Sequence, residues 1–197
     1  MSDKPLYSYC STQVNVPEPL KSDILRYDDD SIDKADINEE AGGIEREVHV
    51  TILYGITSME GLTAIQKHMP AIVKAVPSIK VRLSEISAFE TNPEFDVLKI
   101  AVVSKQLEYL HELFKKITDF ESDYPDYNPH LTLAYLKKGT AKKYVLDERF
   151  MGQEFHANQF LFCNNNGTKT PMPLGGDTNK MVNESAYSKY ARSFYGL

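Results

Sequence analysis

The strongest constraint on this chain is a repeat. Val48-His49-Val50-Thr51-Ile52-Leu53-Tyr54 is answered about 80 residues later by Pro129-His130-Leu131-Thr132-Leu133-Ala134-Tyr135. Each stretch is apolar, β-branched or aromatic at alternate positions, the period-2 signature of a strand. Successive side chains on a strand point to opposite faces, so His49 and Thr51 share one face while Val48, Val50, Ile52 and Tyr54 take the other. The same parity groups His130 with Thr132 and sets Leu131, Leu133 and Tyr135 opposite. One histidine on an apolar strand is usually structural. A polar His-x-Thr pair on an otherwise buriable strand, written twice, calls for a function.

The rest of the chain supplies elements around these strands. Residues 7–16 read as a strand ended by Pro17 and Pro19, and residues 20–27 as a short helix. Between 28 and 47, nine acidic residues face only Lys34 and Arg46, with Gly42-Gly43 in the middle, which reads as a mobile, solvated loop. Leu62, Ile65, Met69, Ile72, Val73 and Val76 recur at helical spacing, as do Leu107, Leu110, Phe114 and Ile117. His68 lies beside the first stripe as a surface residue, and His111 sits on the edge of the second as a structural one. Strands are expected at 79–89, 95–103, 154–163 and 168–174, the last two joined through Asn164-Asn165-Asn166-Gly167, with a short helical candidate at 140–146. The pattern describes an α+β fold of two similar lobes, with antiparallel sheets lining a central cleft and helices outside.

Composition fits an ordinary soluble enzyme. At 197 residues and 22.4 kDa the chain is expected to form one domain, residues 1–176, followed by a tail, 177–197. In that tail Tyr187, Tyr190, Phe194 and Tyr195 recur at helical spacing, an aromatic stripe suited to docking on its own body, on a second copy or on another protein. No run is long enough to span a membrane and no leader is expected, which places the protein in the cytoplasm. Cys10 and Cys163 are read as free thiols within strands. A net charge of −6 argues against a broad surface for long nucleic acid, so an anionic substrate has to be small and locally held.

Two imidazoles flanking a phosphodiester supply a general base and a general acid in one turnover. A threonine two residues along the same strand reaches the non-bridging oxygens as charge builds on them. That chemistry needs no metal and no cofactor. Zinc held by His49, His130 and a third ligand is the metal-dependent alternative. Lys137, Lys138, Lys142 and Lys143 follow the second motif; Lys143 and Lys169 are the candidates for contacts to substrate phosphates.

The paired motifs resemble those of the 2H phosphoesterase superfamily, whose members carry two His-x-Thr/Ser motifs in a two-lobed fold. Residues 9–16 and 167–174 are similar to the opening and closing strands of its phage-encoded branch, the anti-CBASS nucleases, and the resemblance covers most of residues 7–174. It implies catalysis by His49, Thr51, His130 and Thr132. It also implies metal-independent hydrolysis of cyclic di- or trinucleotides in a viral counter-defence role within the host cytoplasm. A 2H enzyme acting on RNA ends or 2′,3′-cyclic phosphates is the alternative, and a nucleotide-binding module without turnover a second one. Base recognition calls for a stacking ring and an amide edge, for which Tyr9 and Gln159 are the candidates. The phage branch carries an acidic residue near the latter position, so Gln159 is a departure from its pattern.

Overall fold

A computed structural model describes residues 7–122 and 126–175. In chain order the elements are β1 (Cys10–Asn15), α1 (Leu20–Ser31), β2 (His49–Ile56), α2 (Glu60–Ala75), β3 (Ile79–Phe89), β4 (Phe95–Val103), α3 (Lys105–Ile117), β5 (His130–Lys137), β6 (Glu154–Ala157), β7 (Gln159–Cys163) and β8 (Lys169–Pro173). All eight strands join one sheet in the order β6-β3-β4-β5-β2-β1-β7-β8, and every pairing is antiparallel. The two lobes are the two halves of this sheet, and the two motif strands, β2 and β5, are neighbours at its centre.

The halves exchange strands. β3 and β4 follow the first motif strand in sequence yet pair beside the second, while β7 and β8 follow the second and extend the side of the first. The single strand expected over 154–163 breaks at Asn158 into β6, at one edge, and β7, next to the other edge. One residue therefore joins the two ends of the sheet, which forces the sheet to curl. The helical candidate at 140–146 shrinks to a single 3-10 turn, Ala141–Lys143, and Leu146, at φ 68°, lies outside the helical region.

One face of the sheet is the core. Val50, Ile52, Ile100, Leu131, Leu133 and Phe160 are fully buried there, and the apolar stripe of α3, Leu107, Leu110 and Phe114, is buried with them. The Phe114 ring packs 5.2 Å from Phe160, centroid to centroid. Each such side chain contributes roughly 1.5–3 kcal/mol on burial, so the apolar parity of the strands and the 3.6-residue period of α3 fix which face is covered. The other face carries the His-x-Thr pairs.

The acidic segment is not the solvated loop expected from its charge. α1 runs on to Ser31, and the chain beyond it pairs with β5 through bridges Ile37↔Leu136 and Ile44↔Ala134. Ile24, Tyr27 and Asp28 are buried on one stripe of α1, so helical spacing overrides the charge run. Neither Asp28 carboxylate oxygen has a hydrogen-bond partner among the described residues. Burial pushes its carboxyl up to about 8, against the pull of the Arg46 guanidinium and with a further push from Asp29 and Glu45. The tail, 177–197, lies outside the described residues.

A carboxyl raised on folding keeps its proton in the native state, so its contribution to stability is complete below the unfolded value near pH 4 and is lost as pH rises through about 8. Each unit of such a shift is worth about 1.4 kcal/mol. Denaturant titrations between pH 4 and 9 should show stability falling more steeply in the wild type than in Asp28→Asn, which has no proton to lose. Parallel curves would place the Asp28 carboxylate in water.

Candidate active site

The motif strands touch through one register pair, Val50↔Leu131. Continuing an antiparallel register one residue either way sets His49 across from Thr132 and Thr51 across from His130. Each histidine therefore faces the threonine of the other motif. The four side chains lie half-exposed on the face opposite the core.

Both imidazoles are anchored the same way. His49 Nδ1 lies 2.5 Å from the Glu47 carbonyl oxygen, and His130 Nδ1 lies 2.7 Å from that of Asn128. A carbonyl only accepts, so each Nδ1 carries the hydrogen. In the neutral ring Nε2 is then left with its lone pair, free to take a proton.

The surroundings of the two rings differ. His130 is packed edge-on against Phe89, with ring centroids 4.9 Å apart. Lys99, the register partner of Thr132, donates to Ser87 Oγ at 2.8 Å and places its ammonium 4.5 Å from the Phe89 centroid. Burial pulls the His130 imidazole below the ordinary histidine value; the Asn128 hydrogen bond opposes this, and the charges of Lys99 and His49 add to it. The Lys99 ammonium is itself lowered by burial, with Glu85 opposing.

On the other side, Glu47 pairs with Lys169 and accepts from Gln13 Nε2 at 2.9 Å, while Gln13 also donates to Asn15 at 2.8 Å. Burial alone would raise the Glu47 carboxyl, but Lys169, His49 and Gln13 together hold it below the ordinary range. An imidazolium at His49 thus has a carboxylate beside it, and one at His130 has an ammonium.

A further pair supports the quartet from the loop before β5. The Tyr127 hydroxyl donates to the Thr51 carbonyl at 2.8 Å, and its ring stacks on His111 at 4.0 Å with planes 7° apart. His111 Nδ1 in turn donates to the Ile52 carbonyl at 2.7 Å. The structural role expected of His111 is to hold β2 in place.

The four candidate substrate contacts divide. Lys169 reaches the site through Glu47. Gln159 is exposed and shares the parity of Leu161, the register partner of Gln13, so it stands on the site face two strands from β2. Lys143 is not there: both its hydrogen bonds, 2.8 Å each, go to the Asp36 carboxylate, which also accepts from Tyr144 at 2.6 Å. Tyr9 precedes Cys10, whose partner is Ile56, so it lies roughly 20 Å along the strand from His49. Its hydroxyl donates to Glu121 at 2.7 Å and its ring meets Tyr54 edge-on at 5.8 Å. Both residues act as clamps between distant segments.

Lys99, Glu47, Gln13 and Tyr127 were not singled out from sequence. The signal for Lys99 was a charge at the centre of an apolar strand, and for Glu47 its place two residues before the motif histidine, where Asn128 precedes the other. Among the described residues, no three His, Cys, Asp or Glu side chains converge as metal ligands.

The family model described as 2′-5′ RNA ligase superfamily matches residues 32–159. The chain belongs to this superfamily. With that membership comes its enzyme class, the phosphodiesterases. The fold agrees with solved structures of low identity. Protein TT0787 of Thermus thermophilus superposes with a TM-score of 0.61 at 15% identity, covering 86% of this chain and 99% of that one. Usb1 of Kluyveromyces marxianus gives 0.57 at 10%, covering 85% and 99%. LigT of E. coli, complexed with 3′-AMP, gives 0.57 at 14%, covering 87% and 96%. No curated protein sequence matches significantly. No helix among the described residues is long and apolar enough to cross a membrane.

Tyr127→Phe keeps the stack on His111 and deletes only the hydroxyl under Thr51. Leaving a buried carbonyl unpaired costs about 1–3 kcal/mol, and the expected result is that loss in denaturant midpoint together with slower turnover. Unchanged stability and rate would remove Tyr127 from the support of the site.

Proposed function

We propose that the chain is a metal-independent phosphodiesterase that hydrolyses cyclic oligonucleotides, with His130 as general base and His49 as general acid. The observation that carries the chemistry is the matched pair of Nδ1 anchors, which presents two Nε2 atoms on adjacent strands. His130 Nε2 takes a proton from water as its oxygen attacks phosphorus. His49, as the acid, gives an Nε2 proton to the leaving oxygen as the ester bond breaks. Thr51 and Thr132 hydrogen-bond the non-bridging oxygens. The products are an alcohol and a phosphomonoester, and proton exchange with solvent resets both rings.

The substrate class rests on the likeness of residues 9–16 and 167–174 to phage-encoded members and on charge. A chain of net charge −6, with the Lys99 ammonium on one side of the quartet and the Glu47–Lys169 pair on the other, suits a compact anionic ring better than a long strand. Gln159 on the site face supplies an amide edge for a base. A viral counter-defence role follows if the substrate is such a messenger. RNA-end processing is the second reading. It is favoured by neighbours solved with nucleotides, LigT with 3′-AMP and Usb1 with uridine monophosphate.

The test is a panel of cyclic di- and trinucleotides, 2′,3′-cyclic nucleotides and short RNAs, with EDTA present and products resolved by chromatography. Cleavage of the cyclic oligonucleotides, undiminished by EDTA, is expected. Cleavage restricted to 2′,3′-cyclic ends would establish the second reading, and loss with EDTA would overturn the metal-free mechanism. His49→Ala and His130→Ala should each cost about 10²–10⁴-fold in turnover without unfolding the protein, and Thr51→Ala and Thr132→Ala less.

The pH profile carries a sign. A base whose value is lowered stays unprotonated further into acid, so the acidic limb of kcat/KM should fall below about pH 6.5, the ordinary histidine value. A limb above that value would contradict His130 as the base.

A further inference from the structure

The dyad that exchanges His49 with His130 and Thr51 with Thr132 also exchanges their neighbours. Gln13 is the register partner of Thr51, and Lys99 is the register partner of Thr132. Gln13 is buried and satisfied, with its amide donating to both Asn15 and Glu47. Lys99 is also buried, at 9% exposed, but its situation is unlike that of Gln13.

An ammonium has three hydrogens to place, and a buried one is ordinarily paired with a carboxylate. Among the described residues, the hydrogen bond that Lys99 Nζ makes goes to the neutral Ser87 hydroxyl, and no ion pair to a carboxylate is found for it. Glu85 acts on it from β3 without reaching it. The remaining favourable contact is the face of Phe89, the same ring that packs on His130. A cation held there has donors to spare on the side of the sheet where Thr132 and His130 stand. What it lacks is an anion.

Resting on the two-histidine reading, we infer that Lys99 is a further catalytic residue. Its ammonium binds a non-bridging oxygen of the reacting phosphate on the His130–Thr132 side and stabilises the charge that grows there as water attacks. Phe89 and Ser87 hold the stem and one hydrogen in place, so the cation is organised before substrate arrives. On the opposite side Gln13 and the Glu47–Lys169 pair are committed to one another. The phosphate is therefore held in one orientation, with its leaving oxygen toward His49. No covalent bond to Lys99 forms, and its protons stay where they are throughout the cycle.

Lys99→Met keeps an unbranched stem against Phe89 and removes the charge. With 2′,3′-cyclic AMP or cyclic di-AMP as probe, whichever the wild type cleaves, kcat should fall about 10²–10³-fold, and Lys99→Arg should recover part of that loss. Inorganic phosphate, measured by calorimetry, should bind about tenfold more weakly to Lys99→Met, the loss expected of one charge-assisted hydrogen bond. Substituting sulfur for one non-bridging oxygen of the probe should slow the wild type for one diastereomer and leave Lys99→Met indifferent, a readout that a purely structural lysine would not move. The acidic limb of kcat/KM should also shift to higher pH once the cation beside His130 is gone. A folded Lys99→Met enzyme with wild-type kcat and phosphate affinity would overturn the inference. Because that variant risks misfolding, the wild-type protein provides a second measurement: saturating inorganic phosphate should shift the 15Nζ resonance of Lys99, and an unmoved resonance would overturn the inference as well. His49→Ala and His130→Ala run beside these separate the two ideas, since near-wild-type activity in either refutes the two-histidine reading while the phosphate experiments judge Lys99 on their own.

Discussion

Everything at the site depends on a single cross-strand contact, Val50 against Leu131. Both side chains are fully buried on the core face. Because strand side chains alternate with a period of two, a slip of one residue would bring the histidines into the core and expose the valine and leucine. The apolar parity of the two strands therefore sets the register in which the four motif side chains meet. The hydrophobic effect does the positioning, and the polar groups occupy the places left to them.

Symmetry places the groups, and departures from symmetry give them different surroundings. The two anchors are equivalent, a ring Nδ1 on a carbonyl two residues earlier. The neighbours are not. A lysine stands where the other half has a glutamine, and a glutamate stands where the other half has an asparagine. Acid–base catalysis needs one ring charged and one neutral at the same time, a condition that a perfect repeat would not distinguish. Lys99 beside His130 and Glu47 beside His49 make the two halves of this repeat unequal.

The quartet and its common face were legible because alternation along a strand is a local property. So were α2, α3, β3 and β4, whose periods run long enough to identify them. Adjacency of the motif strands was not legible, since pairing across about 80 residues is tertiary. Lys99 shares parity with Val97 and Ala101, and on an isolated β4 that face would be wet; only the sheet around it makes the position a buried one. Asp28 stands in a run of acids whose charge masks its place on the buried stripe of α1. Lys143 is close in sequence to a motif strand, but the 3-10 turn after β5 carries it to Asp36 instead.

The single residue between β6 and β7 has a consequence for how the chain reaches this state. Because Asn158 ties one margin of the sheet to the strand beside the other, neither half is complete until the last third of the chain has been placed. The first motif strand acquires its outer neighbours β7 and β8 only from residues 159–173. Such non-local pairing gives a high contact order, which slows folding. During synthesis the first half emerges with an unpaired β1 edge, the kind of exposed strand that invites intermolecular association. Closure of the sheet and protection of that edge are one event, so a chain cut short before β7 would have a half-built sheet with an open, adhesive margin.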